Sequence, residues 1–260
     1  MEIHDLYLDL LKKALNNYLY LGGDTPFEQY DTIGLYDPAL SEWKVPASSQ
    51  PHSLSSTPKL EVLQSLMLDV VNNAVPGDFI EAGVYKGGTV IFMRGFLLAH
   101  AIEDRLVWAA DSFSGIPLSR NARELNDPVD QWKDRWVAGL EDVRATFKRY
   151  GLLDQQVRFL PGKFSDTLPT AHFGKIALAR LDGDSYESTF DALEHIYPSM
   201  ACGGYIIIDD WHLPKCVQAV GDYRQRHAIT DPIQLVLNPA RVEVVYEAFW
   251  RVDHPLSAAT

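Results

Sequence analysis

The chain has few cysteines and no long apolar runs. Its 260 residues include two cysteines, Cys202 and Cys216, and neither has the neighbours of a Cys-x-x-Cys or Cys/His zinc site. No apolar run approaches the roughly 18 residues of a membrane span. The opening residues, Met-Glu-Ile-His-Asp, are too polar and acidic for a secretory signal. We therefore expect reduced structural thiols, no membrane partner and a cytoplasmic location.

Basic side chains are also scarce. The 23 lysines and arginines are outnumbered by 35 aspartates and glutamates, which gives a net charge of -12. Nucleic-acid-binding proteins concentrate positive charge on one face, so this balance argues against a nucleic-acid partner. The hydrophobic share of 47% is that of an ordinary globular protein and is sufficient for a large core.

The first part of the chain differs from the rest. Apolar residues at three- and four-residue spacing predict a helix over Asp5–Tyr20, and a proline-rich, irregular stretch then continues to about Thr57. Thr57 reads as an N-cap before a second helix, from about Pro58 to Asn73. We expect residues 1–57 to form a helical, acceptor-side cap and residues 58–260 to form the main domain.

From residue 79 onward, apolar runs alternate with helical patterns. This βα rhythm predicts a mostly parallel sheet with helices on both faces. Two final strand-like runs, joined by Pro239-Ala240, predict a hairpin that makes the last strand antiparallel. The predicted strands are 79–82, 105–110, 157–160, 175–181, 205–208, 232–238 and 242–250, and the predicted helices are 88–100, 132–150, 188–197 and 215–226.

A glycine-rich turn follows the first strand of this sheet. The motif Glu81-Ala82-Gly83-Val84-Tyr85-Lys86-Gly87-Gly88 lets the backbone approach a ligand at the carboxyl end of the strand. It matches neither the Gly-x-Gly-x-x-Gly of dinucleotide folds nor a phosphate loop. The alternative is a tight βα turn that needs small residues for structural reasons alone.

Two further strand ends carry polar residues. Asp111, followed by Ser112, is placed to accept hydrogen bonds from a ribose diol, and Gly162 and Ser165 are placed to line an adenine pocket. The alternatives are structural: Asp111 could cap the next turn, and Gly162 to Ser165 could be a plain turn with an N-cap.

Four aspartates follow the next two strands. Asp182 and Asp184 end one strand, and Asp209 and Asp210 end its predicted neighbour. Bringing like charges together is costly unless a cation lies between them. Carboxylate oxygens select hard cations, so this cluster predicts a site for Mg²⁺, Ca²⁺ or Mn²⁺.

Two other features each have a functional and a structural explanation. His212 directly follows the acidic pair and could reach the substrate or orient a ligand, or it could simply begin a surface loop. The spacing of Trp132, Trp136 and Leu140 favours packing of one helix face over a cofactor-binding box.

Taken together, these motifs resemble one family. They are Glu81-x-Gly83-Val84-Tyr85-x-Gly87, Asp111-Ser112-Phe113-x-Gly115, Asp182-Gly183-Asp184-x-Tyr186-Glu187-Ser188-Thr189 and Gly203-Gly204-Tyr205-x-x-x-Asp209-Asp210. From about Gly77 to Arg251 the chain is similar to the macrocin O-methyltransferases, a family that includes the enzyme methylating the sugar of novobiocin. The last two motifs are specific, whereas the first would fit any class I methyltransferase.

The resemblance implies a Rossmann-like class I methyltransferase fold with a mostly parallel seven-stranded sheet. It implies S-adenosylmethionine as methyl donor, Mg²⁺ or another divalent cation, and a sugar or sugar-bearing natural product as acceptor. Carried over by motif, Asp182, Asp209 and Asp210 would hold the metal, Asp184 would be the base, and Glu81 to Gly87 with Asp111 would hold the cofactor. The segment before the sheet departs from the family pattern at Thr57-Pro58-Lys59, so the acceptor's identity stays open.

Alternative functions are a methyltransferase for a catechol or other vicinal diol, a nucleotide-dependent oxidoreductase on a similar sheet, and a non-catalytic protein that binds S-adenosylmethionine. The intact set of four aspartates argues against the last. Members of the family often assemble through their N-terminal segments, so the resemblance also implies a homo-oligomer.

Overall fold

The structure is a computed structural model that describes residues 2–22, 24–30, 36–37, 42–120, 127–129, 135–238 and 241–256. Its helices are α1 Ile3–Leu15, α2 Tyr18–Leu21, α3 Thr57–Asn72, α4 Gly88–Ala99, α5 Leu140–Arg149, α6 Phe164–Thr167, α7 Tyr186–Ile196 and α8 Pro214–Arg226. Its strands are β1 Tyr36–Asp37, β2 Glu42–Trp43, β3 Asp78–Ala82, β4 Val107–Asp111, β5 Val157–Pro161, β6 Ile176–Leu181, β7 Met200–Ile208, β8 Gln234–Asn238 and β9 Arg241–Arg251.

Seven strands form the main sheet, in the order β5-β4-β3-β6-β7-β9-β8. Pairing is parallel from β5 to β7, and β9 pairs antiparallel with both β7 and β8. The predicted sheet and terminal hairpin are therefore confirmed, although the Pro239-Ala240 connection lies outside the described residues. Strands β1 and β2 form a separate antiparallel pair.

The order of the strands determines where a binding crevice can lie. From β3 the chain runs outward through β4 to β5 and then returns to β6, on the other side of β3. The connection after β3 therefore runs to one side of the sheet and the connection after β6 runs to the other. This divergence opens a crevice at the carboxyl ends of β3 and β6. The glycine-rich turn follows β3 and the first acidic motif follows β6, so both lie at this crevice.

Apolar clusters cover both faces of the sheet. One face packs against α1, α3 and α4, through residues such as Leu8, Leu63 and Phe92. The other packs against α7 and α8, through residues such as Leu193 and Tyr223. Helix α1 thus shares a core with α3 and α4, while the division at residue 57 stays a prediction.

The predicted first helix was too long. Helix α1 ends at Leu15 because Asn17 adopts a left-handed conformation with φ of 56°, and the short α2 follows it. Asparagine tolerates this region better than most residues, so the apolar spacing continued past a real break. Helix α3 is close to its prediction, with Ser56 instead of Thr57 as the N-cap.

The helix predicted over 132–150 also begins later. Helix α5 starts at Leu140, and Trp136 is left-handed with φ of 56°, so Trp136 does not share a helix face with Leu140. Its ring meets that of Tyr85 edge to face instead, with centroids 6.1 Å apart. Trp132 lies outside the described residues. Four-residue spacing alone was a poor guide here because the stripe crosses the start of α5, whose N-cap is Gly139.

Among the residues that the structure describes, no helix combines the length and apolar character needed to cross a bilayer.

Candidate active site

A continuous cavity of about 1140 Å³ lies at the carboxyl ends of the central strands. It brings together residues from all of the sequence motifs. The predicted site residues that line it are Glu81, Gly83, Tyr85, Asp111, Ser112, Gly162, Ser165, Asp182, Asp184, Asp209, Asp210 and His212. Gly87 is the exception, since it is buried and does not line the cavity.

The glycine-rich turn needs its glycines for close packing. Gly83 has φ of +95°, and a Cβ there would lie 1.8 Å from the carbonyl oxygen of Asp182. Gly87 has φ of +83° and precedes α4, and its Cβ would lie 2.8 Å from Val143 on α5. The structural explanation thus accounts for both glycines, and for Gly83 it coexists with a position on the cavity wall.

Asp111 organises this turn. Its Oδ2 accepts hydrogen bonds from the backbone N–H groups of Val84 at 2.7 Å and Tyr85 at 3.2 Å, and its Oδ1 accepts from Phe113 N–H at 2.7 Å. The last of these is the turn-capping contact weighed as the structural alternative. The Ser112 hydroxyl is a fourth and weaker donor, 3.4 Å from Oδ1. Since a carboxylate has about four acceptor sites, a ligand hydroxyl would displace this long contact.

The turn after β5 lies beside Asp111. Gly162 N–H donates to the carbonyl oxygen of Asp111 at 2.8 Å, and the Ser165 hydroxyl bonds Asp166 at 3.0 Å at the start of α6. Both Gly162 and Ser165 line the cavity. The ends of β4 and β5 therefore form one continuous wall.

Three aspartates crowd together where the loops after β6 and β7 reach the cavity. Asp182, Asp184 and Asp210 offer carboxylate oxygens that all lie within 4.8 Å of one another. Asp184 has φ of 58°, and its N–H donates to Asp210 Oδ2 at 2.8 Å. This bond ties the loop after β6 to the loop after β7.

Crowding shows in the acidities of these groups. Burial and the neighbouring carboxylates raise the pKa of Asp182 and Asp184 well above their usual range. The same two causes, with Asp209 as the main neighbour, raise the pKa of Asp210 to about 6. The cluster is therefore short of positive charge, which is the condition that a bound cation relieves.

Asp209 has a different environment from the other three. Its Oδ1 accepts hydrogen bonds from Lys59 Nζ at 2.8 Å and from the guanidinium of Arg180. Although burial alone would raise the pKa of Asp209, the charges of Arg180 and Lys59 lower it to about 2. The sequence prediction grouped Asp209 with Asp182 and Asp210, whereas the structure groups Asp184 with them.

Arg180 and Lys59 are the residues that the sequence reasoning missed. The buried guanidinium of Arg180 contacts Glu81, Asp182 at 3.0 Å and Ser55 at 2.9 Å, so it joins the glycine-rich turn to the acidic end. A lone arginine inside an apolar strand was the available signal, because such a charge requires buried carboxylate partners. Lys59 reaches the site from α3, and no pattern in the sequence around it indicated this role.

His212 follows Asp210 by two residues and lines the cavity with an exposed side chain. This position is compatible with both of the roles considered for it.

The sequence matches the model of the macrocin O-methyltransferase family (TylF) over residues 40–241. The chain belongs to this family. It is an S-adenosylmethionine-dependent O-methyltransferase, and the predicted class I methyltransferase fold is confirmed.

Curated relatives of this O-methyltransferase cover most of its length. It is 46% identical to the 8-demethyl-8-(2,3-dimethoxy-α-L-rhamnosyl)-tetracenomycin-C 4'-O-methyltransferase of Streptomyces olivaceus, over 89% of each chain. It is 41% identical to the mycinamicin III 3''-O-methyltransferase of Micromonospora griseorubida, over 88% of this chain and 92% of the relative.

A third relative and a solved structure agree with these. The demethyldecarbamoylnovobiocin O-methyltransferase of Streptomyces niveus is 40% identical over 88% of each chain. The structure of the O-methyltransferase NovP superposes with a TM-score of 0.80 at 37% identity, covering 96% of this chain and all of NovP.

Proposed function

We propose that this enzyme transfers a methyl group from S-adenosylmethionine to a sugar hydroxyl of a glycosylated natural product, in antibiotic biosynthesis. The observation that carries the proposal is one cavity that brings the glycine-rich turn after β3 beside the carboxylate cluster that follows β6 and β7. The names of all three curated relatives describe methylation of such compounds.

The cofactor would occupy the end formed by β3, β4 and β5. Asp111 would accept the ribose hydroxyls, Gly162 and Ser165 would border the adenine, and the turn from Glu81 to Tyr85 would face the remaining part. Ser112 supports this wall, since its hydroxyl donates to the carbonyl oxygen of Gly115 at 2.5 Å.

A divalent cation such as Mg²⁺ fits the carboxylate cluster beside this wall. Burial and neighbouring carboxylates raise the pKa values of Asp182 and Asp210, and a bound cation would compensate their charges. Their all-oxygen chemistry suits a hard cation. Asp209 would be the third ligand: Lys59 and Arg180 both hold its Oδ1, which leaves Oδ2 for a cation. When bound, the cation would lower the cost of ionising an acceptor hydroxyl.

Asp184 would take the proton from that hydroxyl. Its carboxylate lies within 4.8 Å of Asp182 and Asp210, so it would lie beside an acceptor hydroxyl brought to the cation that those two hold. His212 would face the acceptor from the exposed side of the cavity. Arg180 and Lys59 would fix the carboxylates, so that the two substrates meet in a constant geometry.

The test uses the purified full chain, labelled S-adenosylmethionine and four acceptors. These are the three relatives' glycoside substrates and catechol, each with Mg²⁺ or with excess EDTA. We expect methylation of at least one glycoside that stops with EDTA and returns with Mg²⁺. Methylation of catechol alone would move the function to the diol alternative, and activity that survives EDTA would refute the metal requirement.

We also propose that the enzyme is a homo-oligomer. Helix α1 leaves Ile3, Leu6 and Leu10 exposed at helical spacing, by 85%, 49% and 54%. Such a stripe is typical of a surface covered by another chain. Light scattering on the purified protein gives the number of copies.

A further inference from the structure

The mouth of the cavity has different chemistry from its floor. Asp209 and Asp210 on the floor are buried, whereas Leu118 on the same cavity is 58% exposed. Its neighbours Ile116 and Pro117 also line the cavity. The exposed rim of the cavity therefore combines this apolar stretch with charged residues such as Arg120 and Lys163.

The segment that carries these apolar residues, 115–120, is here called the rim segment. It is fastened at its far end to α7, where Arg120 N–H donates to Glu187 Oε2 at 2.6 Å and its guanidinium donates to Asp191 at 2.8 Å. Helix α7 begins directly after Asp184 and Ser185. The rim segment is thus held in a fixed relation to the proposed base.

Aromatic side chains lie on another part of the same cavity. Tyr85, on the glycine-rich turn, and Trp136 both line it and contact each other edge to face. The apolar lining therefore involves elements from two separate parts of the chain.

The cavity is larger than one small ligand requires. Pockets for a single drug-sized ligand span roughly 300 to 1000 Å³, whereas this one holds about 1140 Å³. The cavity therefore has room for an apolar group beyond the donor and the sugar, and burial of exposed apolar side chains is a main source of binding free energy.

We propose that Leu118 and Ile116 form a binding site for the apolar group attached to the acceptor sugar, and that they determine selectivity for glycosides over free sugars. This inference rests on the proposed sugar O-methyltransferase function. The sugar lies towards the carboxylates, and its apolar substituent lies against the rim segment.

The test uses a matched series, methyl, butyl and octyl α-L-rhamnopyranoside, below the micelle concentration. Binding is measured by calorimetry with saturating S-adenosylhomocysteine, and methyl transfer is measured separately. We expect the affinity to rise at least about tenfold from methyl to octyl, because each buried methylene contributes favourably. Leu118→Glu should abolish this rise, and Leu118→Met should keep it.

The control is Leu98→Glu, since Leu98 at the end of α4 is exposed to a similar degree, 52%, and does not line the cavity. This variant should retain the full rise. Equal affinity or no binding along the series, a rise that survives in Leu118→Glu, or weaker S-adenosylhomocysteine binding in that variant would each overturn the proposal. Rising affinity without methyl transfer would refute the proposed function and leave the rim site standing.

Discussion

Asp111 ends β4 and Asp184 follows β6 in the same sheet, and both line the same cavity, yet their surroundings are opposite. Asp111 accepts hydrogen bonds from three backbone N–H groups. Asp184 lies among other carboxylates, and burial with their charges raises its pKa well above the usual range. The polypeptide therefore stabilises a negative charge on Asp111 and leaves a negative charge on Asp184 poorly compensated.

The difference separates two uses of an aspartate at a strand end. Asp111 positions the glycine-rich turn, so its charge contributes to the fold as well as to the cavity wall. The charge of Asp184 works against the fold, which is the cost expected where a group serves chemistry. Asp209 belongs with Asp111 in this respect, since Lys59 and Arg180 satisfy it.

The largest effect should come from Asp184→Asn. The amide cannot accept the proton, so we expect turnover to fall by about 10² to 10⁴-fold, the usual contribution of a positioned base. Rapid-quench and steady-state methyl transfer give the turnover number, and calorimetry checks that S-adenosylhomocysteine still binds. Asp222→Asn is the control, because Asp222 is exposed and bonds the Tyr186 hydroxyl outside the cavity.

Asp209→Asn is the matched contrast to Asp184→Asn. Loss of a ligand should weaken Mn²⁺ binding, measured by calorimetry, whereas Asp184→Asn should leave it within a few-fold. If instead Asp184→Asn loses the metal and Asp209→Asn retains it, then Asp184 is the third ligand and Asp209 is a structural partner of Lys59 and Arg180. Turnover unchanged in Asp184→Asn would remove its role as base.

A smaller effect is expected for Asp111→Asn. The amide offers one acceptor oxygen where two now serve, and unsatisfied buried N–H groups cost about 1 to 3 kcal/mol. We expect this loss of stability in urea unfolding, together with roughly tenfold weaker S-adenosylhomocysteine binding, an effect of about 1.4 kcal/mol.

Asp78→Asn is the control for Asp111→Asn. Asp78 begins β3, at the opposite end of the strand, and accepts hydrogen bonds from Leu106 N–H at 2.9 Å and Trp108 Nε1 at 2.8 Å. The Asp78→Asn variant should lose about as much stability as Asp111→Asn and should keep the wild-type affinity for S-adenosylhomocysteine. Equal cofactor affinity in both variants would limit Asp111 to a structural role.

The sequence predicted the sheet better than it predicted the site's electrostatics. Strands were recognisable because apolar runs and glycine turns are local signals, and the acidic motifs marked the strand ends. The grouping of Asp184 with Asp182 and Asp210 depends on a left-handed residue and on two cations, Arg180 and Lys59. Such pairings join distant parts of the chain, so no local pattern reports them.

The smallest expected effect concerns Glu247, a poorly compensated carboxylate outside the aspartate cluster. It is buried on β9, and within the described part of the chain its Oε1 has no hydrogen-bond partner. Burial raises the pKa of Glu247 to about 8, despite the opposing charge of Lys59. The folded state therefore binds more protons than the unfolded state between about pH 4 and 8, so stability should fall as the pH rises through this window.

Urea unfolding of the metal-free protein at pH 6 and pH 8 measures this fall. We expect Glu247→Gln to reduce the difference between the two pH values by on the order of 1 kcal/mol, since one proton per pH unit corresponds to about 1.4 kcal/mol. Glu141→Gln, at an exposed side chain on α5, should keep the wild-type difference. If Glu247→Gln also keeps the wild-type difference between pH 6 and pH 8, Glu247 is already ionised at pH 6. The poorly compensated carboxylates would then be limited to the cluster of Asp182, Asp184 and Asp210.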